Sequence, residues 1–327
     1  MTKRLALAVL FASAAARADH TIKLGTIAPV GSTWHNLLKE MGDAWATASG
    51  GKVKLKIYAG GVLGNEGAMV QKMQVGQLHA AAITAVGLHE ITPEPQAVDV
   101  PMMIDTLDEY DYVQARVQDD LEKAVSAKGY VVMQWGEVGF ARFFSTKPYA
   151  SPAAMAEGKI FTWEGDPASE RAWRAAGLNP VVLTSTDIVP ALTTGMINIV
   201  TQPPLFIYTT RLFEKANQML DLNWGYLTGA TVVRRDAWEK IPAEVRTKLL
   251  DVSREYGKKV SADIRRMNDD ALEKMKAAGL TVVAPANRGE WEAAAQKAWE
   301  IVRGKVVPVG IFDKVKKYRD EFRASKK

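Results

Sequence analysis

Two carboxylates stand two residues apart at Glu164 and Asp166, closing a segment, Lys159 to Asp166 (KIFTWEGD), that also carries Phe161 and Trp163. A carboxylate pair can divide general-acid and general-base work when its surroundings separate the two pKa values. The same spacing is ordinary polar patterning on a strand, and Asp166-Pro167 suits the start of a helix. Phe161 and Trp163 offer apolar walls or faces for a cation; they also alternate with Lys159 as any strand would. Other chemistry is scarce. No cysteine occurs among the 327 residues, which excludes disulfides, thiolate metal sites and a cysteine nucleophile. His20, His35, His79 and His89 show no zinc spacing, and His89-Glu90 lacks the second histidine of H-E-x-x-H. There is no nucleophile elbow, and Gly60, Gly61, Gly64 and Gly67 have the wrong spacing for a phosphate loop. Basic residues are dispersed rather than interleaved with aromatics, so no nucleic-acid partner is expected. Neither a metal nor a cofactor is expected.

The elements that would position these side chains alternate strand and helix, which predicts an α/β fold. Thr21 to Ala28 reads as a strand, and Trp34, Leu37, Leu38, Met41 and Trp45 recur at helical spacing. Lys52 to Tyr58 alternates like a half-buried strand. A glycine-rich loop then opens a helix ended by Gly76, and Leu78 to Thr84 is an apolar run suited to a buried parallel strand. A second helix-Gly-strand unit follows much later: Val189 to Thr194, Gly195, and Met196 to Thr201. That echo suggests two similar lobes. From Pro242 an apolar stripe runs from Val245 through Leu249, Val260 and Ile264 to Met275, ending at Gly279. Such a helix would be about 50 Å long, enough to brace two lobes. One more strand, Leu280 to Ala284, precedes terminal helices between Trp291 and Phe322.

The first eighteen residues read differently from the rest. Lys3 and Arg4, an apolar stretch from Leu5 to Ala16 and the small-x-small ending Ala16-Arg17-Ala18 predict a secretory signal peptide over 1–18. The apolar run is shorter than the ~20 residues of a membrane span. With no cysteine at the cleavage point, a freely diffusing periplasmic protein without a lipid anchor is expected. Three basic residues leave with the leader, so a net charge of +5 (42 basic, 37 acidic) falls to +2 and argues for no anionic partner.

Four segments in order then carry a resemblance: IKLGTIAPVGSTWHNLLKEM from Ile22, YAGGVLGNEGAMVQKMQVGQLHAA from Tyr58, VDVPMMIDTLDEYDYV from Val98, and AAGLNPVVLTSTDIVPALTTGMINIVTQPP from Ala175. Together with TGATVVRRDAWEKIPAEVRTKLL, they resemble the extracytoplasmic solute-binding proteins of TRAP (tripartite ATP-independent periplasmic) transporters, DctP type, over nearly the whole mature chain. The resemblance implies a two-lobed periplasmic-binding-protein-like fold with hinge strands and a long helix spanning both lobes. It places 19–138 with about 228–266 in lobe I, and 139–227 with about 267–327 in lobe II. It implies no enzyme activity: a small solute is captured in the cleft by hinge closure and delivered to a TRAP membrane permease.

Members of this family hold carboxylates with an arginine after a Gly-Leu-Lys-Ile-Arg-Val-like motif, since a guanidinium fork matches a carboxylate with two bonds. Here Phe161 stands in that place, in Gly158-Lys159-Ile160-Phe161. A second family arginine falls at Ala141, next to Arg142, and adjacent strand residues face opposite sides. The expected solute is accordingly neutral, aromatic or amine-bearing rather than a simple dicarboxylate, an atypical subgroup of the family. By position the resemblance adds Gln202, Trp34, Glu66 and Thr84 as ligand contacts, with Glu164, Phe206 and Trp224 as further candidates; Glu66 equally suits a helix cap. Two other readings stay open: a sensor-coupled receptor of the same fold, and a secreted enzyme using Glu164 and Asp166.

Overall fold

A computed structural model describes residues 19–184 and 187–326; the expected leader, 1–18, lies outside the described residues. The first half of the chain contributes β1 (His20–Thr26), α1 (Thr33–Ala48), β2 (Val53–Tyr58), α2 (Glu66–Gln74), β3 (Ala80–Thr84), the short α3 (Ala85–His89), α4 (Leu107–Ala127) and the long β4 (Tyr130–Ser145). The second contributes α5 (Pro152–Met155), β5 (Lys159–Trp163), α6 (Pro167–Ala175), β6 (Asn179–Leu183), α7 (Ile188–Thr194), β7 (Ile199–Gln202), α8 (Pro204–Thr209), β8 (Gln218–Leu220) and β9 (Gly225–Arg234). The chain ends with α9 (Arg235–Trp238), α10 (Ala243–Ala277), β10 (Thr281–Val283), α11 (Arg288–Val302) and α12 (Val309–Ser325).

The strand order β2-β1-β3-β9-β4-β7-β5-β6 reads alike from both ends. In each half a central strand, β1 or β5, has parallel neighbours on both sides, and the next strand toward the middle of the molecule, β3 or β7, meets a long antiparallel strand. The helix-Gly-strand echo corresponds to this symmetry. Gly76 and Gly195 both take left-handed φ, +78° and +71°, and each stops a helix before the equivalent strand, β3 or β7. The long strands β4 and β9 pair with each other through Ala141 and Gly225; from Arg142 onward β4 turns to β7. These are the strands that cross between lobes.

Alternation on β5 separates two cores in the second lobe. Ile160 joins Phe143, Trp173, Trp224, Trp291 and Ile199 on one side, and Phe161 joins Phe144, Val200, Ile188, Leu192 and Ile207 on the other. In the first lobe Leu24, Met41, Trp45 and Val53 pack with Val245 and Leu249 of α10, and Trp45 Nε1 donates to Ser253 Oγ at 2.8 Å. The 35-residue α10 spans about 52 Å. Its stripe serves the first lobe at Leu249 and the second at Met275, so it braces both. In the terminal segment α11 packs on α5 and α6, whereas Phe312 and Val315 of α12 pack with Tyr110, Val117 and Leu121 of α4. The apolar face of α4 needs cover, and α12 supplies it.

Candidate functional site

The lobes meet at the carboxyl ends of their parallel strands, where open α/β sheets place ligands. After β5, Gly165 lies so close to Asn65 that a Cβ on it would come within 3.4 Å of Asn65 Nδ2. Asp166 follows; it is buried and its Oδ1 accepts from Ser169 N at 3.0 Å, capping α6. From the first lobe two further carboxylates approach. Glu66 begins α2, and its Oε1 accepts from Thr84 N at 2.8 Å while Oε2 accepts from Thr84 Oγ1 at 2.7 Å and Gly87 N at 2.9 Å. Burial raises the Glu66 pKa; the bonds from Thr84 and Gly87 oppose the rise and the charge of Asp166 adds to it. Asp99 accepts from Thr228 Oγ1 at 2.7 Å and Thr228 N at 3.2 Å. Burial pushes its pKa up to about 8 against those two bonds, and Asp166 again adds. The charge of Asp166, on the second lobe, thus reaches both Glu66 and Asp99 on the first. Among the described residues no group of three His, Cys, Asp or Glu is placed to hold a metal ion.

The expected site residues fall into separate groups. Trp163, partly buried, meets Phe161 edge-on at 4.8 Å and Phe206 at 6.3 Å between ring centroids, so the three form a row. Phe161 itself is only 3% exposed and sits among Ile188, Leu192 and Val200. Trp224 lies on the opposite side of the sheet, stacked on Trp173 at 5.4 Å in the second lobe's core. Glu164 is exposed, while Gln202 is buried at the end of β7 in register with Arg142. Arg142 is already engaged: its Nε donates to Asn223 Oδ1 at 3.1 Å and its Nη1 to Asp221 Oδ1 at 3.2 Å. Trp34 packs with Leu205 and Tyr208 of α8 and Val260 of α10, with its buried Nε1 unpartnered. Thr84 is bound to Glu66 and caps α3.

Asp99 was not among the residues singled out from sequence. Its signal was an acid inside the apolar run Val98-Asp99-Val100, a place that calls for a hydrogen-bonded carboxyl, and the partly buried Asp99 is held by Thr228.

Comparison with known proteins bears on this arrangement. The family model described as bacterial extracellular solute-binding protein, family 7 (DctP), matches residues 24–305. The chain belongs to this family. The 2,3-diketo-L-gulonate-binding periplasmic protein YiaO of Escherichia coli is 22% identical over 300 residues, 91% of each chain. A TRAP periplasmic solute-binding protein from Roseobacter denitrificans with bound β-D-glucuronate superposes with a TM-score of 0.83 at 16% identity, covering 90% of this chain and 99% of that one. Another, from Sulfurospirillum deleyianum with bound succinate, gives 0.81 at 22% identity and covers 91% and 99%. The two-lobed α/β fold is therefore that of the TRAP solute-binding proteins. As a DctP family member the chain is a solute-binding transport component, and no helix among its described residues is long and apolar enough to cross a membrane.

Proposed function

We propose that this DctP family protein, exported by residues 1–18 and free of a lipid anchor, captures a solute between its lobes in the periplasm and hands it to a TRAP permease without chemical change. The solute it favours is neutral, aromatic or amine-bearing, and an amine suits the cleft best. The observation that carries this reading is the row of Phe161, Trp163 and Phe206 at the end of β5, whose faces suit an aromatic or cationic group; the charge of Asp166, which reaches Glu66 and Asp99, supports it. A carboxylate solute entering there would meet the charge of Asp166, and Phe161 and Ala141 stand where the resemblance places the arginines that would offset it. The engagement of Arg142 by Asn223 and Asp221 points the same way.

In this reading Trp163 and Phe206 form the aromatic wall, with Phe161 behind Trp163. Gln202 offers its amide to the solute, and Trp34, Glu66 and Thr84 shape the first-lobe side. Glu164 stands at the rim, and Trp224 holds the second-lobe core from behind. A ligand touching both lobes stabilises the closed form by what it gains from each.

Thermal melting of residues 19–327 against amines, aromatic acids, neutral alcohols and dicarboxylates tests the reading. A ligand at one hundred times its Kd stabilises by about 2.7 kcal/mol. Amines are expected to raise the melting temperature; a rise with succinate or glucuronate and none with amines would overturn the ligand class while leaving solute capture standing.

A further inference from the structure

The long helix grips β4 at its two irregular points. Strand pairing between β4 and β9 slips once between Val132 and Gln134 and again between Glu137 and Gly139. Opposite the first slip stands Gly257 of α10, where a Cβ would come within 3.0 Å of Gln134 Cβ. Opposite the second stands Asn268, eleven residues and about three helical turns further on, hence on the same face. Both slips therefore lie under one stripe of α10.

The second contact is polar and complete. Asn268 is buried, and its Nδ2 donates to Val138 O at 3.0 Å and to Ile264 O at 3.0 Å, while its Oδ1 accepts from Leu205 N at 3.0 Å. Val138 lies within the bulge, three residues before Ala141, the last residue of β4 paired with β9. Leu205 lies in the first turn of α8, three residues after Gln202 and next to Phe206. Gly139 takes φ +121°, and a Cβ there would stand 2.7 Å from Asn268 Nδ2, so this close approach needs glycine. One turn back along α10, Arg265 donates to Glu137 Oε2 at 2.7 Å and to Asp111 Oδ2 at 2.8 Å, and Tyr226 also donates to Glu137. The bulge is thus held on one side through Arg265 to α4, and on the other through Asn268 to α8.

We propose that Asn268 is a positioning residue for solute capture: it ties the bulge of the crossing strand to the α8 turn beside the aromatic wall, and so sets the balance between open and closed lobes without touching solute. When the lobes swing apart, Val138 moves with the crossing strand and Leu205 with the second lobe. One amide cannot follow both, so opening breaks a bond that closure restores. Losing a bond of ordinary net strength shifts such a balance by about tenfold at most.

The chain's lack of cysteine makes the test direct. Spin labels at Gln71→Cys on α2 and Arg171→Cys on α6, both exposed, report the interlobe distance in the ligand-free mature protein. Asn268→Ala should raise the ratio of long to short distances up to tenfold. Asn268→Asp discriminates further, because it keeps the acceptor for Leu205 N and replaces the donor to Val138 O with a repelling oxygen. A residue that only capped α8 would tolerate Asp; the proposed coupling predicts a shift as large as that of Ala. A wild-type distance distribution in folded Asn268→Asp overturns the proposal, even if Asn268→Ala lowers the melting temperature. Should Asn268→Ala fail to fold, the Asp variant alone decides.

Discussion

Thr228 on β9 holds the Asp99 carboxyl by two bonds, Oγ1 to Oδ1 at 2.7 Å and N to Oδ2 at 3.2 Å, yet burial still pushes the Asp99 pKa up to about 8. In the unfolded chain the same group titrates near 3.9. Between those values the folded protein keeps a proton that the unfolded chain has released. Stability from this residue is therefore intact below about pH 4 and is lost as the pH rises through about 8, the reverse of a salt-bridged aspartate. Calorimetry at pH 5 and pH 8 should find the melting temperature lower at pH 8. Asp99→Asn should flatten that difference, and an unchanged slope in the variant would assign the titration elsewhere.

Glu66 joins three elements, since its two oxygens satisfy Thr84 N, Thr84 Oγ1 and Gly87 N. Gly87 allows this because any Cβ there would fall 2.8 Å from Glu66 Cβ. Removing the carboxylate strands two backbone donors, each costing about 1–3 kcal/mol when buried. Glu66→Ala should lose on the order of 3 kcal/mol in urea unfolding. Glu66→Gln keeps one good acceptor and should lose about half as much. Equal, negligible losses would mean that Glu66 is not a structural tie between α2 and α3.

What could be read from sequence follows from the range of the forces involved. Helix and strand periodicity, the stops at Gly76 and Gly195 and the length of α10 are local, and each appears where its residues put it. The route of α12 back to α4 depends on which apolar face is left uncovered after the sheet is built, and no spacing encodes that. The site divides in the same way. Gln202 and Trp163 stand at strand ends, as position implies, but whether an alternating aromatic faces a cleft or a core depends on which helix covers it. Phe161 lies under Ile188 and Leu192, and Trp224 lies against Trp173. Asp99 was hidden because its partner, Thr228, is 129 residues away.

Burial also makes Phe161 and Trp163 separable by experiment. Phe161→Ala opens a cavity in the second lobe and should cost about 3–5 kcal/mol of stability. Trp163 is only partly buried, so Trp163→Ala should cost less in urea unfolding while weakening any solute that shifts the melting temperature by tenfold or more. The reverse pattern, with stability lost at Trp163 and affinity unchanged, would remove the row of Phe161, Trp163 and Phe206 from the solute wall.

The last prediction joins Asp99 to the solute. A carboxyl with a pKa of about 8 is mostly protonated at pH 7. An ammonium group arriving beside it favours the ionised form, so binding should lower that pKa and release a proton. A neutral solute would leave the proton in place, and a carboxylate solute would favour protonation further and take up protons. Titration calorimetry at pH 7 in two buffers of different ionisation enthalpy reads the number directly. For an amine the expectation is release of up to one proton, affinity rising between pH 6 and pH 8, and loss of both effects in Asp99→Asn. Release that persists in Asp99→Asn would place the titrating group elsewhere, and proton uptake would reverse the sign of charge expected of the solute.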